Sequence, residues 1–367
     1  MIYVALLFLG ALDAAGYSVI APIVPGISEN TGAGPAVMGA LVTCFALGQL
    51  VGYPVAGRAV QLRHASWVLG VALSLMAIGD LGFILGDSLG TYFPARLVQG
   101  LGAGGLWMGV CFAVLERYPG EEFRRLAGIL ASYSAGGIAG PALGAIGGIR
   151  GPFLAHLGLV LVAGVVVLVL GAPRDRPHFT SDRGALRSKS FWLACATVTI
   201  TALTIGSLEG PVPLHFAEQL SQPEISVLYV ATSLVVGACA AAAARFAPRP
   251  VVAIGTVLLT SGLALVGIGE SVGVWIVALA LLGVGFGMSE SGSLGILLST
   301  VGAERIVLAM VVWSQVFGVG YLVGPALAGG VAEAFGFAWI GVIPLVLALP
   351  VFALLVITGR ESARSGP

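Results

Sequence analysis

The sequence predicts an all-α integral membrane protein of twelve transmembrane helices, built as two pseudo-symmetric six-helix bundles. Three observations predict it. Of the 367 residues, 58% are hydrophobic and only 9% are charged, whereas a soluble domain carries about 25% charged residues. Apolar runs long enough to cross a bilayer recur from one end of the chain to the other. A pattern in the first half, GGIAGPALG at 136–144, returns in the second as GYLVGPALAG at 320–329.

Helix 1 is expected over 2–25. It lacks the basic leading segment of a secretory leader, and its apolar run is too long for one. Asp13 stands in its middle. At about 1.5 Å per residue it lies roughly 18 Å into a hydrocarbon core of about 30 Å. A carboxylate there is costly unless it faces protein or water, and residues of this kind commonly bind protons or ions. The competing reading is that Asp13 pairs with a base and only fixes helix packing. Helices 2 and 3 follow at 34–57 and 66–86, and Asp80 lies inside helix 3. Helix 4, at 90–115, carries Arg96, the one Lys or Arg that lies within a predicted span and not at its cytoplasmic end. Arg96, Gly100, Ala103 and Trp107 share one face by the 3.6-residue period. Asp80 and Arg96 flank the turn near Asp87–Ser88 at nearly equal distances, which places them at one depth and predicts a buried ion pair. The alternative is that Arg96 snorkels to the headgroups.

Helices 5 and 6 are expected at 124–148 and 151–172, then helix 7 at 191–213. Helix 7 shows Thr197, Thr201 and Thr204 at i, i+4 and i+7. These hydroxyls either bond back to their own helix or form a polar stripe on a substrate cavity. Glu209, two residues before Pro211, reads as a wet or capping acid. Helices 8 and 9 follow at 224–244 and 250–269. Helix 10, at 272–298, holds Glu290 between two serines, a second candidate carrier. Helices 11 and 12 complete the set at 304–331 and 335–358. The one longer polar connector, PRDRPHFTSDRGALRSKS at 173–190, divides the chain into bundles 1–172 and 191–358, with a tail at 359–367.

The repeat extends beyond the Gly-Pro motifs. Gly100, Gly102 and Gly104 of helix 4 recur as Gly283, Gly285 and Gly287 of helix 10. In helices 5 and 11, Pro141 and Pro325 each remove a helical hydrogen bond. Gly136, Gly140, Gly144, Gly320 and Gly324 permit close packing. Tight, bent contacts are expected there, with no ligand of their own. A parallel repeat of six helices is a transporter arrangement.

Fifteen of the seventeen Lys and Arg fall on the connectors and tail of one side when the N-terminus is cytoplasmic; Arg150 is alone on the other side and Arg96 is within a span. The positive-inside rule then puts both termini and the 173–190 linker in the cytoplasm of a cell-membrane protein. Zero net charge gives no case for nucleic acid. The four cysteines fall in apolar spans without metal-ligand spacing, and the four histidines are scattered. No metal, cofactor or enzymatic constellation is expected. The expected partners are a small-molecule substrate, protons and the lipid bilayer, with the chain a monomer.

Together these residues resemble the major facilitator superfamily, over all twelve spans, and within it the drug:proton antiporters of the tetracycline and multidrug exporter type. LDAAGYSVIAPIVP at 12–25 resembles their first-helix pattern, RLVQG at 96–100 their helix 4 motif, and GGIAGPALG the helix 5 motif associated with antiport. An acid at the position of Asp80 also occurs in the tetracycline exporters. The loop between helices 2 and 3 departs from the family's G-x-x-x-D-R-x-G-R-R: Gln61 and Leu62 stand where its acid and base should be. The resemblance implies the major facilitator fold and a secondary active transporter. It further implies proton-coupled efflux of a small lipophilic or cationic molecule by alternating access. Coupling would fall to Asp13, Arg96, Asp80 and Glu290. Tyr17, Trp107, Thr197, Thr201 and Thr204 would line the cavity. A metabolite uniporter or symporter, or a non-transporting membrane sensor, are the alternatives.

Overall fold

The computed structural model describes residues 2–118, 120–170, 187–301 and 306–364. Most of the 173–190 connector, Arg305 and the last residues of the 359–367 tail lie outside them. Among the described residues, twelve helices are long and apolar enough to cross a membrane. Spans 1 to 6 are Ile2–Thr31, Pro35–Val60, Ala65–Leu85, Leu89–Arg117, Arg124–Gly144 and Arg150–Val169. Spans 7 to 12 are Lys189–Glu209, Gln222–Ala243, Pro248–Ile268, Val272–Thr300, Ala309–Phe335 and Phe337–Gly359.

Proline and glycine set the irregularities. Span 1 is a helix over Ile2–Ser18, a single 3₁₀ turn over Ala21–Ile23 and a second helix over Val24–Thr31. Pro22 and Pro25 cannot donate to the preceding turn, so the ladder is interrupted there. Gly32 closes the second helix in the left-handed region at φ 68°. Span 5 stops at Gly144, short of the expected 148, because Gly147 and Gly148 take positive φ. Span 7 stops at Glu209, and Pro211 opens a short separate helix, Val212–Phe216. Pro54, Pro94, Pro141 and Pro325, by contrast, stay inside continuous helices.

The described chain gathers into two compact units. One draws on Met1–His178 and Glu209–Ser233, the other on Phe179–Leu208 and Leu234–Pro367. In the first, span 5 lies directly on span 1. A Cβ at Gly136 would collide with the Ala11 carbonyl, and one at Gly140 with the Ser18 hydroxyl and, at 2.7 Å, the Ala15 carbonyl. In the second, span 11 lies on span 7 in the same way: Gly320 meets the Thr199 carbonyl and Gly324 the Leu203 carbonyl. Span 4 is held between spans 2 and 3, with Gly104 against the Gln49 carbonyl and Gly102 against the Ala72 carbonyl. Span 10 is held likewise, with Gly287 against the Val236 carbonyl and Gly285 against the backbone of Leu259 and the Gly255 carbonyl. The sequence repeat is therefore a repeat of backbone-to-backbone contacts, the form that helix association takes where lipid offers no hydrophobic gain. Ala11 matches Thr199 and Ala15 matches Leu203. Asp13 therefore corresponds in the repeat to Thr201, so at this position the first copy has a carboxyl group and the second a hydroxyl.

At one end of the first unit, Arg125 stacks over the rings of Tyr3 and Tyr118 at 4.5 and 4.8 Å, and its carbonyl accepts from the Tyr3 hydroxyl. In the connector between spans 2 and 3, Leu62 is exposed and Arg63 stands over Trp67 at 5.9 Å. The side chain of Gln61 is outside the described set.

Candidate functional site

The charged groups inside the first unit follow from how span 1 ends. The last carbonyls of a helix have no partner within it. Where Ile2–Ser18 breaks off, Arg96 of span 4 supplies partners to two of them. Its Nη1 donates to the Gly16 carbonyl at 3.0 Å and its Nη2 to the Tyr17 carbonyl at 3.1 Å. A cation at the negative end of a helix is favourable on its own account. The guanidinium also lies 4.5 Å over the Phe45 ring, which in turn meets Tyr17 edge-to-face at 5.4 Å. Arg96 is fully buried; the snorkelling alternative does not apply.

Asp80 does not bond Arg96 directly. Gln99, one turn along span 4, stands between them: its Nε2 donates to Asp80 Oδ1 at 2.6 Å, and its Oε1 accepts from Arg96 Nη1 at 3.0 Å. The depth argument placed the two charges together, but Arg96 turns toward span 1 and Gln99 takes the side facing span 3. The direct partner of Asp80 is His156 of span 6, whose Nδ1 is 3.0 and 2.8 Å from the two carboxylate oxygens. All four side chains are buried.

Asp13 is different. It is 1% exposed, and neither carboxylate oxygen has a hydrogen-bond partner among the described residues. Its electrostatic neighbours are Tyr53 of span 2 and Cys111 of span 4. Among the described residues no base pairs with it, and the packing-clamp reading finds no partner there. Glu209, read from sequence as wet or capping, is buried in the same unit. It faces the Tyr17 side chain and the charge of Arg96.

The remaining candidates sort by unit. Trp107 is buried in the first, edge-to-face with Tyr133 at 5.1 Å. Thr197, Thr201 and Thr204 are buried in the second, and each donates to the carbonyl four residues back, Leu193, Thr197 and Ile200. Glu290 is in the second unit and is partly exposed. Gly136, Gly140 and Gly144, like Gly320 and Gly324, serve the helix contacts. Sequence reasoning missed His156 and Gln99. A lone histidine in an otherwise apolar span was the available signal, since ionisable residues at membrane depth are functional candidates by default.

Among the described residues, twelve helices are long and apolar enough to cross a membrane, and Asp13, Asp80, Arg96, His156 and Glu209 are buried within the first unit. The family model described as Major Facilitator Superfamily matches residues 6–245 and 194–367, and the chain belongs to that family. Multidrug resistance protein 1 of Bacillus subtilis (strain 168) is 23% identical over 206 residues, 53% of this chain and 53% of that protein. Multidrug resistance protein 2 of the same organism is 29% identical over 154 residues, 41% of this chain and 38% of that protein. Quinolone resistance protein NorA of Staphylococcus aureus (strain COL) is 23% identical over 130 residues, 35% of this chain and 34% of that protein. The matches thus span about half or less of these relatives. Among solved structures, a bacterial homolog of the human lysosomal transporter Spinster, inward-facing and occupied, superposes with a TM-score of 0.77 at 15% identity, over 99% of this chain and 97% of that one. The human organic anion transporter MFSD10 (TETRAN) gives 0.71 at 16%, over 96% and 98%. Both likenesses concern the fold. Membership in this family makes the chain a transporter and not an enzyme.

Proposed function

We propose that this transporter exports a small lipophilic or cationic molecule in exchange for protons, by alternating access, and that Asp13 carries the exchanged charge. The observation that carries the reading is the buried carboxylate of Asp13, which has no hydrogen-bond partner among the described residues. An ionised carboxylate in that setting is costly. A proton neutralises it, and so does a bound cation; one site cannot hold both. Competition between the two is a sufficient physical basis for exchange. Arg96 is occupied at the end of the first helix, so it leaves Asp13 free for a ligand. The names of the relatives, which are multidrug and quinolone resistance proteins, support an efflux reading. The Arg and Lys distribution supports cytoplasmic termini in the plasma membrane. The proposed carrier is a monomer, in which Tyr17 and Trp107 offer aromatic contact area and Glu290 is a further acid on the second repeat.

The test is a substrate panel in proteoliposomes with an imposed pH gradient and an internal fluorescent pH reporter, beginning with ethidium as a lipophilic cation. The proposal expects ethidium to accumulate against its gradient while protons move the opposite way. Movement of both in one direction would mean symport, and equilibration without proton movement would mean uniport; either result overturns the proposal.

A further inference from the structure

The network around Asp80 contains a group that the exchange scheme above does not use. His156 is fully buried, and its Nδ1 is committed to the Asp80 carboxylate at 2.8 and 3.0 Å. With Asp80 ionised, that contact needs a proton on Nδ1, which leaves Nε2 as a bare lone pair. Nε2 is buried and has no hydrogen-bond partner among the described residues. It points toward span 1: a Cβ placed on Gly16 would lie 3.1 Å from it. Gly16 is also the residue whose carbonyl holds Arg96.

A second feature isolates this cluster. Phe153, Phe83 and Tyr92, from spans 6, 3 and 4, stack face to face, with centroids 4.0 Å apart for Phe83 and Phe153 and 5.0 Å for Phe83 and Tyr92. Each ring lies one helical turn from a member of the network, being three residues from His156, three from Asp80 and four from Arg96. All three are buried. The stack covers the cluster on the side of the connector between spans 3 and 4. On the other side, Met76 lines the approach to Gly16, at 3.1 Å from the same constructed Cβ.

We propose that Asp80 and His156 form a second proton site of the transporter, in which His156 Nε2 takes up the proton and Gln99 conveys the change to Arg96. The step is a proton transfer: the Nε2 lone pair takes one H⁺ from a hydronium ion, an N–H bond forms as the O–H bond breaks and water leaves, and the pair changes from net −1 to neutral. While the pair is unprotonated, the carboxylate holds the Gln99 amide, and that amide orients Arg96 toward Gly16 and Tyr17. An imidazolium draws the Asp80 carboxylate more strongly to the Nδ1–H it already holds, at the expense of the Gln99 amide, and adds positive charge near Arg96. The hold of Arg96 on the broken end of span 1 is thereby weakened, one turn beyond Asp13. Among the described residues, the charged and titratable groups facing His156 are Asp80 on span 3 and, through Gln99, Arg96 on span 4. Span 1 presents the backbone of Gly16, with Tyr17 and Glu209 beyond Arg96. His156 is thus a positioning residue that responds to protons. The inference builds on the proton-exchange reading but is tested apart from it.

The test observes the imidazole itself. Replacing His64, His178 and His215 by Gln leaves His156 as the only histidine and leaves the buried network untouched. In lipid nanodiscs, ¹⁵N-histidine NMR of this protein is recorded from pH 5 to 9. The expected result is one reversible titration of the Nε2 signal, with Nδ1 remaining protonated, and its loss from this range in Asp80→Asn. A signal that does not change with pH, or an unchanged titration in Asp80→Asn, overturns the proposal. In the full chain, His156→Gln keeps a donor for Asp80 but cannot titrate; its ethidium exchange should lose at least half of the wild-type dependence on pH while retaining uphill transport. An unaltered pH profile also overturns it. The NMR result does not depend on Asp13: a titrating His156 with active Asp13→Asn refutes the exchange reading alone, and a silent His156 with inactive Asp13→Asn refutes this inference alone.

Discussion

Gly136 and Gly137 are adjacent in one helix, and a methyl group on each should have opposite effects. At Gly136 the added Cβ would overlap the Ala11 carbonyl and come within 2.6 Å of the Ala14 Cβ; at Gly137 the nearest atom is the Ser233 hydroxyl at 3.7 Å. Both substitutions gain the same helix propensity, about 1 kcal/mol for Gly to Ala. Their difference therefore isolates packing. Overpacking costs about 1–3 kcal/mol, and the obstruction at Gly136 includes backbone, which cannot rotate away. Gly136→Ala should be less stable than Gly137→Ala by about 2 kcal/mol or more. At roughly 2–4 °C per kcal/mol for a body of 150–250 residues, the gap is about 4–8 °C. The assay is the apparent unfolding temperature of the two purified variants in one detergent, by fluorescence-detected size exclusion after heating. Equal temperatures, or a more stable Gly136→Ala, would refute the argument that spans 1 and 5 touch through their backbones.

Three further outcomes follow from the same geometry. In the second repeat, Gly320→Ala should lower the unfolding temperature because of the Thr199 carbonyl, whereas Gly330→Ala, with nothing within 4 Å, should not. Arg96→Gln should lose about 2 kcal/mol or more, since it strips partners from the Gly16 and Tyr17 carbonyls while removing a buried charge, and Arg96→Lys should recover only part of that for lack of the planar fork; a fully stable Arg96→Gln in the heating assay argues against the capping role. For topology, single cysteines at Asp87 and Arg245, both exposed, are placed in a chain with its native cysteines replaced and treated with an impermeant reagent on intact cells. Asp87→Cys should label and Arg245→Cys should not; the reverse pattern inverts the orientation.

The fold was legible because membrane helices are specified by length and apolarity, both of which are read directly from a sequence, and because the repeat preserved its glycines. Span ends were less legible where a short-range feature decided them: the paired glycines after Gly144 and the prolines after Glu209 cut two helices shorter than hydropathy implied. The site was half legible. Depth along a helix follows from residue counting, so Asp13, Asp80 and Arg96 were found. Direction around the helix axis is set by neighbours far along the chain, and so the partners were not. Arg96 turned to an interrupted helix end eighty residues earlier, and Asp80 turned to His156. Thr197, Thr201 and Thr204 each donate to their own helix, a bond that spacing alone permits without saying what else the stripe faces.

The central claim is that Asp13 exchanges a proton for substrate, and it is tested most directly by separating uphill from downhill transport in Asp13→Asn. The substitution keeps the shape of the side chain and removes its charge. In proteoliposomes with ethidium, the account predicts that Asp13→Asn folds and lets substrate run down its gradient but no longer accumulates it when a pH gradient is imposed, whereas Glu290→Gln, measured in parallel, retains accumulation. Asp13→Asn accumulating ethidium as well as the parent protein would contradict the account.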